Sequence, residues 1–107
     1  MNTFNKSEKF DLNSSIEYSN GGIISKQIVR NDAGNVTLFS FDKGQSLSEH
    51  TAPYDALLQV IEGEADVIID GNSKLLKAGE AIIMPANVPH ALKAVTQFKM
   101  MLTMIKM

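Results

Sequence analysis

Residues 79–94 read GEAIIMPANVPHALKA and give this chain its clearest structural signal. A short apolar run ends in a turn bracketed by two prolines, and the turn delivers His90 to the start of a second apolar run. Residues 44–63, GQSLSEHTAPYDALLQVIEG, follow a similar plan, with His50 on a strand, a proline turn, an apolar strand and a glycine. The chain has only these two histidines. We therefore predict that the two blocks pair and bring them together.

The rest of the chain consists of short apolar or alternating segments separated by turn residues. Alternation with a period of two and a length of four to eight residues is typical of strands. The pair Asp70-Gly71 is the strongest hairpin signal. The last segment also fits a helical stripe, but no N-cap precedes Phe98, so a strand is favoured. The predicted strands are residues 23–30, 36–41, 46–51, 56–61, 65–70, 74–77, 81–84, 90–95 and 98–107. Short strands separated by turns, with no other segment that offers a helix of usual length, predict an all-β sandwich or barrel.

Composition predicts one globular domain and excludes several classes of function. A chain of 107 residues with 44% hydrophobic and 21% charged residues fits a single core. Residues 1–20 are polar and irregular, and we predict a mobile N-terminal arm before a folded domain at residues 21–107. A net charge of −2 with one arginine argues against nucleic acid or an anionic membrane as partner. The absence of cysteine excludes thiol chemistry. No signal peptide or membrane span is evident, so we expect a cytoplasmic protein.

The two histidine blocks resemble the paired motifs of the cupin superfamily, whose domains are jelly-roll barrels. The first motif has the form Gly-x5-His-x-His-x3–4-Glu-x6-Gly and the second Gly-x5-Pro-x-Gly-x2-His-x3-Asn. This chain departs from them at Ala52 and Ala56, which replace a histidine and the glutamate, and at Asn87 and Ala94, which replace a glycine and the asparagine. The matching positions are Gly44, His50, Gly63, Gly79, Pro85 and His90.

The resemblance implies a small single-domain cupin at residues 21–107, with a double-stranded β-helix, or jelly-roll, fold. The family's metal ligands are the two histidines and the glutamate of the first motif and the histidine of the second, so only His50 and His90 remain here. Divalent transition metals usually need at least three protein ligands. We therefore expect a depleted site that binds zinc, nickel, manganese or iron weakly.

Other donors near the histidines could complete the site. Strict alternation turns Glu49 away from the face of His50, and Asp55 would need a bulge to reach it. Weaker or more remote candidates are Tyr54, Asn87 and Gln97. A purely structural role for both histidines is the alternative to any site.

The interior predicted by alternation is small and apolar. Ala52 and Ala56 leave room where ligands would lie, and the remaining lining would come from Leu58, Val60, Met84 and Leu92. Such a cavity suits a small, largely apolar ligand held by one or two polar groups. The first hypothesis is therefore a small-molecule-binding barrel with His50 and His90 as polar handles. The alternative is a metal-dependent cupin enzyme, an oxygenase or isomerase. Water and an acidic residue outside the motif positions would complete the coordination shell of its metal.

Residues 56–61 are apolar on both faces, apart from Gln59, in a chain too small to cover both. This pattern, together with the family resemblance, predicts a homodimer. The N-terminal strand at residues 23–30 is the part most expected to reach across the interface.

Overall fold

A computed structural model of the protein describes residues 4–106, and this part of the chain contains strands, turns and no helix. Two antiparallel sheets pack face to face, one with strand order β1-β2-β9-β4-β7 and the other with order β3-β8-β5-β6. The all-β, jelly-roll prediction is confirmed. The strands are β1 (Ile23–Asn31), β2 (Gly34–Phe41), β3 (Ser46–His50), β4 (Asp55–Glu62), β5 (Glu64–Ile69), β6 (Asn72–Lys77), β7 (Ala81–Met84), β8 (His90–Ala94) and β9 (Phe98–Ile105).

Each strand begins and ends within two residues of the bounds that turn residues and alternation predicted. Asp70 and Gly71 have φ values of 50° and 78° and connect β5 to β6, as a two-residue hairpin turn requires. The C-terminal segment is a strand rather than a helix, because β9 inserts between β2 and β4 and pairs with both. The predicted end of that segment, Met107, lies outside the described residues.

The core lies between the two sheets and is made by the inward face of each strand. Phe41 and Phe98, neighbours on β2 and β9, stack with ring centroids 4.5 Å apart and form its closed end. Strand β4 contributes alternate residues, since Ala56, Leu58 and Val60 are at most 3% exposed. The further buried members are Ala65, Val67, Leu76, Met84, Leu92, Ala94 and Met100.

The outer face of the larger sheet is partly covered by residues 13–17. Ile16 is 1% exposed. Side chains from three strands, Lys26, Ser40 and Lys99, each donate a hydrogen bond to a backbone carbonyl of this segment, at 3.0, 2.6 and 2.6 Å. Such bonds satisfy polar groups that would otherwise be buried without a partner. Sequence periodicity did not predict this packing, because the apolar residues there follow neither period. The predicted mobility of residues 1–20 stays a prediction, and residues 1–3 lie outside the described part.

A polar cluster at the end of this segment ties it to β4 and β9. Glu62 accepts hydrogen bonds from the hydroxyl of Tyr18 at 2.5 Å and from the side-chain amide of Asn13 at 3.0 Å. The ammonium of Lys99 lies 5.0 Å from the centre of the Tyr18 ring. The Tyr18 hydrogen bond lowers the pKa of Glu62, and burial raises the pKa of Tyr18. Glu62 therefore accepts these bonds as a carboxylate at neutral pH.

Candidate functional site at the His50–His90 pair

His50 and His90 meet as direct cross-strand partners on β3 and β8. Their Nε2 atoms are 3.1 Å apart, and the rings are tilted by 68° with centroids separated by 4.3 Å. His90 is 6% exposed, whereas His50 is exposed at the rim of the barrel. The two histidines therefore converge, as the spacing of the two blocks predicts.

A bulge in β3 makes this meeting possible. Leu47 pairs with Leu92 and His50 pairs with His90, so three residues of β3 span the same distance as two residues of β8. The extra residue allows both Leu47, which packs against the core, and His50 to face inward. Simple alternation would place them on opposite faces. Sequence alternation alone therefore could not have predicted the register of β3.

The second nitrogen of each ring is fixed by the backbone. The Nδ1 atom of His50 lies 2.8 Å from the carbonyl oxygen of Ser48, and that of His90 lies 3.2 Å from the carbonyl oxygen of Val88. Because a carbonyl oxygen only accepts, we assign the hydrogen of each neutral ring to Nδ1. Both Nε2 atoms then present lone pairs to each other. Two such nitrogens repel at 3.1 Å, so a third group that donates to both stabilises the pair.

The surroundings of His90 favour its neutral form. Burial lowers the pKa of His90, and the neighbouring His50 lowers it as well, while the hydrogen bond to Val88 acts in the opposite direction. A neutral imidazole with a free Nε2 is the form that binds a metal ion or accepts a hydrogen bond. The pair is therefore prepared for a metal or for a ligand with a hydrogen-bond donor.

The two Nε2 atoms can take two ligand positions of a metal site, and no further ligand is grouped with them in the described residues. Two nitrogen atoms that each lie ~2.1 Å from one metal ion, with a right angle between the two bonds, are about 3.0 Å apart. The Nε2 atoms of His50 and His90 have nearly this separation. Within residues 4–106, no three His, Cys, Asp or Glu side chains are grouped closely enough to share an ion. A site that retains a metal needs at least three protein ligands. The residues present therefore do not form a complete metal centre.

Three of the side chains considered as additional ligands have other contacts, and the backbone of a fourth residue, Asn87, forms a hydrogen bond. The Asp55 carboxylate accepts a hydrogen bond from the backbone of Ala86 at 2.8 Å, and its strand position faces outward. The Tyr54 ring lies 5.8 Å from the ammonium of Lys106. Asn87 has a φ of 63° and donates its backbone N–H to Ala52 at 2.7 Å. Gln97 donates to Asp42 at 3.1 Å, beyond the opposite end of β8, and Glu49 is exposed.

Asn87 also explains one departure from the motif. The motif has glycine at this position, and the backbone here adopts the left-handed region that glycine favours. Asparagine is one of the few other residues that adopts it readily. The turn that delivers His90 is therefore kept despite the substitution.

The residues predicted to line the interior face the core. Ala56, Leu58, Val60, Met84 and Leu92 are all at most 3% exposed, while Ala52 is half-buried at the rim. Their contact with a ligand stays a prediction.

Asn35 and Thr37 are polar residues near this end of the barrel that sequence reasoning missed. Both belong to β2 and pair with Met104 and Leu102 of β9. Alternation along residues 36–41 puts Thr37 on the same face as Phe39 and Phe41, and this is the signal in the sequence that could have found it.

Comparison with known proteins agrees with the fold and the two motifs. The sequence profile of the cupin domain matches residues 37–106. A conserved protein of unknown function from Streptococcus pyogenes is 33% identical, with a TM-score of 0.93 over 99% of this chain and 93% of that one. A cupin superfamily protein from Desulfitobacterium hafniense is 27% identical, with a TM-score of 0.89 and coverage of 95% and 94%.

The sheet order and the two histidine motifs define a jelly-roll barrel of the cupin type. The chain belongs to the cupin family. A cupin 2 conserved barrel domain protein from Leptotrichia buccalis is 42% identical over 91% of this chain, with a TM-score of 0.88, and this chain spans 47% of that protein's length. No curated protein matches the sequence. In residues 4–106 there is no helix that could cross a membrane.

Proposed function

We propose that this cupin binds a small molecule at the end of the barrel where His50 and His90 meet. The observation that carries the proposal is the orientation of the two rings. Each ring is held by a backbone carbonyl at Nδ1, and the two Nε2 atoms face each other at 3.1 Å. Such preorganised polar groups beside an apolar interior are typical of small-molecule sites.

Two alanines near His50 and His90 support a small-molecule site rather than a permanently bound metal ion. Ala56 has the motif position of the glutamate and Ala52 that of the second histidine, so no carboxylate or third imidazole competes with a ligand there. The methyl group of Ala56 faces inward between Met84 and Met104. A ligand at this end would therefore meet two imidazoles on one wall and hydrocarbon on the other.

A metal-dependent cupin enzyme is the second candidate. The separation of the two Nε2 atoms favours it, because it fits two neighbouring ligand positions around zinc, nickel, manganese or iron. Such an ion would need water and another acid to complete its shell. The incomplete donor set places this candidate second.

The two histidine signals of a proton NMR spectrum test the proposal directly, because the chain contains no other histidine. We expect at least one of the fragments 4-hydroxybenzoate, 4-hydroxybenzamide and 4-hydroxybenzyl alcohol, each with a phenolic O–H that can donate to the histidine pair, to shift both signals in parallel. The variant His50→Ala removes one ring and should weaken that fragment by about tenfold, the loss of one good hydrogen bond. If none of the fragments shifts either signal and nickel ions shift both at micromolar concentration, the metal candidate moves ahead.

We also propose that the protein is a homodimer formed through the outer face of β9, β4 and β7. Ile83 and Ile105 on this face are 62% and 57% exposed, and Leu57 of β4 is paired with Ile83. The centre of this face, formed by Leu57, Gln59, Ala81, Met101 and Thr103, carries no charged side chain. Charged residues lie at its two ends, with Asp55 beside Ile105 at one end and Glu62 and Lys99 at the other. A second copy offers the same apolar face, which is what a two-fold symmetric interface requires. The contribution of the N-terminal strand β1 to that interface stays a prediction, as does the cytoplasmic location.

Ile83→Lys should convert the dimer into a monomer. A lysine at the centre of an apolar interface loses water without gaining a partner, and we expect the dissociation constant to rise by at least about a hundredfold. Leu75→Lys is the matched control, because Leu75 is 53% exposed but belongs to β6 of the other sheet. Sedimentation velocity at micromolar concentration measures all three proteins. A monomeric parent, or equal loss of the dimer in both variants, contradicts the proposed interface.

A further inference from the structure

At the His50–His90 end of the larger sheet, the inward-facing residues form two rows that cross the five strands and change from polar to apolar. One row runs across five strands as Arg30, Asn35, Met104, Ala56 and Met84, each paired with the next. Paired residues of adjacent antiparallel strands project to the same side of a sheet. Because Ala56 and Met84 belong to the core, the whole row belongs to the inward face.

The neighbouring row repeats the pattern. It runs as Gln27, Thr37, Leu102, Leu58 and Ile82. In both rows the residues of β9, β4 and β7 are apolar, whereas those of β1 and β2 are polar. At this end of the barrel the inward face therefore has an apolar half and a polar half, and the boundary runs between β2 and β9, whereas Phe39 and Phe41 make the rest of β2 apolar.

Both rows lie at the same end of the barrel as the histidine pair. Met84 ends β7 and His90 begins β8, with only residues 85–89 between them. Ala56 follows His50 after the short connection formed by residues 51–55. A molecule that contacts the two imidazoles can therefore extend over Ala56 toward the polar half.

The polar half has donors that no other residue uses. Among residues 4–106, the Arg30 guanidinium takes part in no hydrogen bond or ion pair, and Arg30 is exposed. Asn35 is half-buried and accepts a hydrogen bond from the Thr37 hydroxyl at 3.4 Å, which leaves its amide N–H groups free. A guanidinium fork beside free amide donors matches the two oxygens of a carboxylate.

We infer that the ligand of this site is a small carboxylate with an apolar body. Arg30 and Asn35 bind its carboxylate, Met104 and Ala56 contact its hydrocarbon part, and a hydroxyl group at its far end donates to the histidine pair. A carboxylate is favoured over a phosphate because the site offers a single guanidinium and no helix N-terminus. This inference rests on the proposed function and adds the charge and the orientation of the ligand.

4-Hydroxybenzoate and 4-hydroxybenzamide test the charge, because they share a shape and a phenolic O–H donor and differ in the carboxylate. We expect 4-hydroxybenzoate to shift both histidine signals and the backbone amide signals of Asn35 and Thr37. Its dissociation constant should be at least about tenfold lower than that of 4-hydroxybenzamide, because the carboxylate forms a charge-assisted hydrogen bond with Arg30. The variant Arg30→Gln should bring the affinity for 4-hydroxybenzoate to that for 4-hydroxybenzamide. Lys74→Gln changes the net charge equally on an exposed position of β6 and should leave both affinities unchanged.

Different outcomes overturn the carboxylate assignment and the small-molecule site itself. If 4-hydroxybenzamide or 4-hydroxybenzyl alcohol binds as tightly as 4-hydroxybenzoate, the binding site stays in place and the carboxylate assignment is overturned. An unchanged affinity for 4-hydroxybenzoate in Arg30→Gln, or an equal loss in Lys74→Gln, would overturn the role of Arg30. If no fragment shifts the histidine signals, both the inference and the proposed small-molecule site fail.

Discussion

Ala52→His combined with Ala56→Glu should give a protein that binds nickel or zinc orders of magnitude more tightly than the parent. The two substitutions restore the motif positions of the second histidine and the glutamate beside an existing pair of imidazoles. Each added ligand belongs to a part of the chain that is already ordered, so most of its conformational entropy is lost on folding. Metal binding therefore does not have to order the ligands again. Ala56 is 3% exposed and faces inward, and the glutamate would therefore project toward the same interior as His90.

Titration calorimetry on untagged protein measures this gain. The parent should bind weakly, and His50→Ala should abolish even that binding. Asn20→His with Ala78→Glu is the matched control, because it adds the same two side chains at exposed positions at the other end of the barrel. Tight stoichiometric binding by the parent would show that another group already completes the shell, and the enzyme candidate would then be preferred.

Gly63→Ala should destabilise the protein by at least about 3 kcal/mol, more than most single substitutions do. Gly63 connects β4 to β5 with a φ of +80°, and a Cβ atom there would clash with the carbonyl oxygen of Gln97. It would also lie 2.9 Å from the Cα atom of Phe98, whose side chain is fully buried. Backbone atoms that begin a central strand cannot move away without breaking its pairing. The motif therefore has glycine here for a steric reason that is independent of metal or ligand.

Comparison of Gly63→Ala with Gly71→Ala separates the destabilisation caused by the steric clash from that caused by the left-handed backbone conformation. Gly71 has nearly the same φ, +78°, but no atom lies within 4 Å of the place that a Cβ atom would take. Only the left-handed conformation then opposes alanine, at about 1–2 kcal/mol. Urea denaturation of the parent and the two variants compares their free energies of unfolding. Equal losses at the two glycines would contradict the close contact between Gly63 and Gln97.

Local sequence chemistry predicted the strands well, because each signal acts within a few residues. Alternation identified β2 and β9 as strands, and Asp70-Gly71 identified the β5–β6 turn. The spacing of the glycines, prolines and histidines identified the family and the approach of His50 to His90. These features depend on side-chain periodicity and backbone preference, which neighbouring residues determine.

The sequence by itself thus determined the all-β class, the strand positions and the pairing of the two histidine blocks. Only the tertiary structure decided the bulge before His50, the anchoring of both Nδ1 atoms on backbone carbonyls and the packing of Ile16 on the outer face. It also decided that Arg30 and Asn35 share a row with Ala56. These features depend on register between strands that are distant in sequence, and a shift of one residue exchanges the faces of a strand.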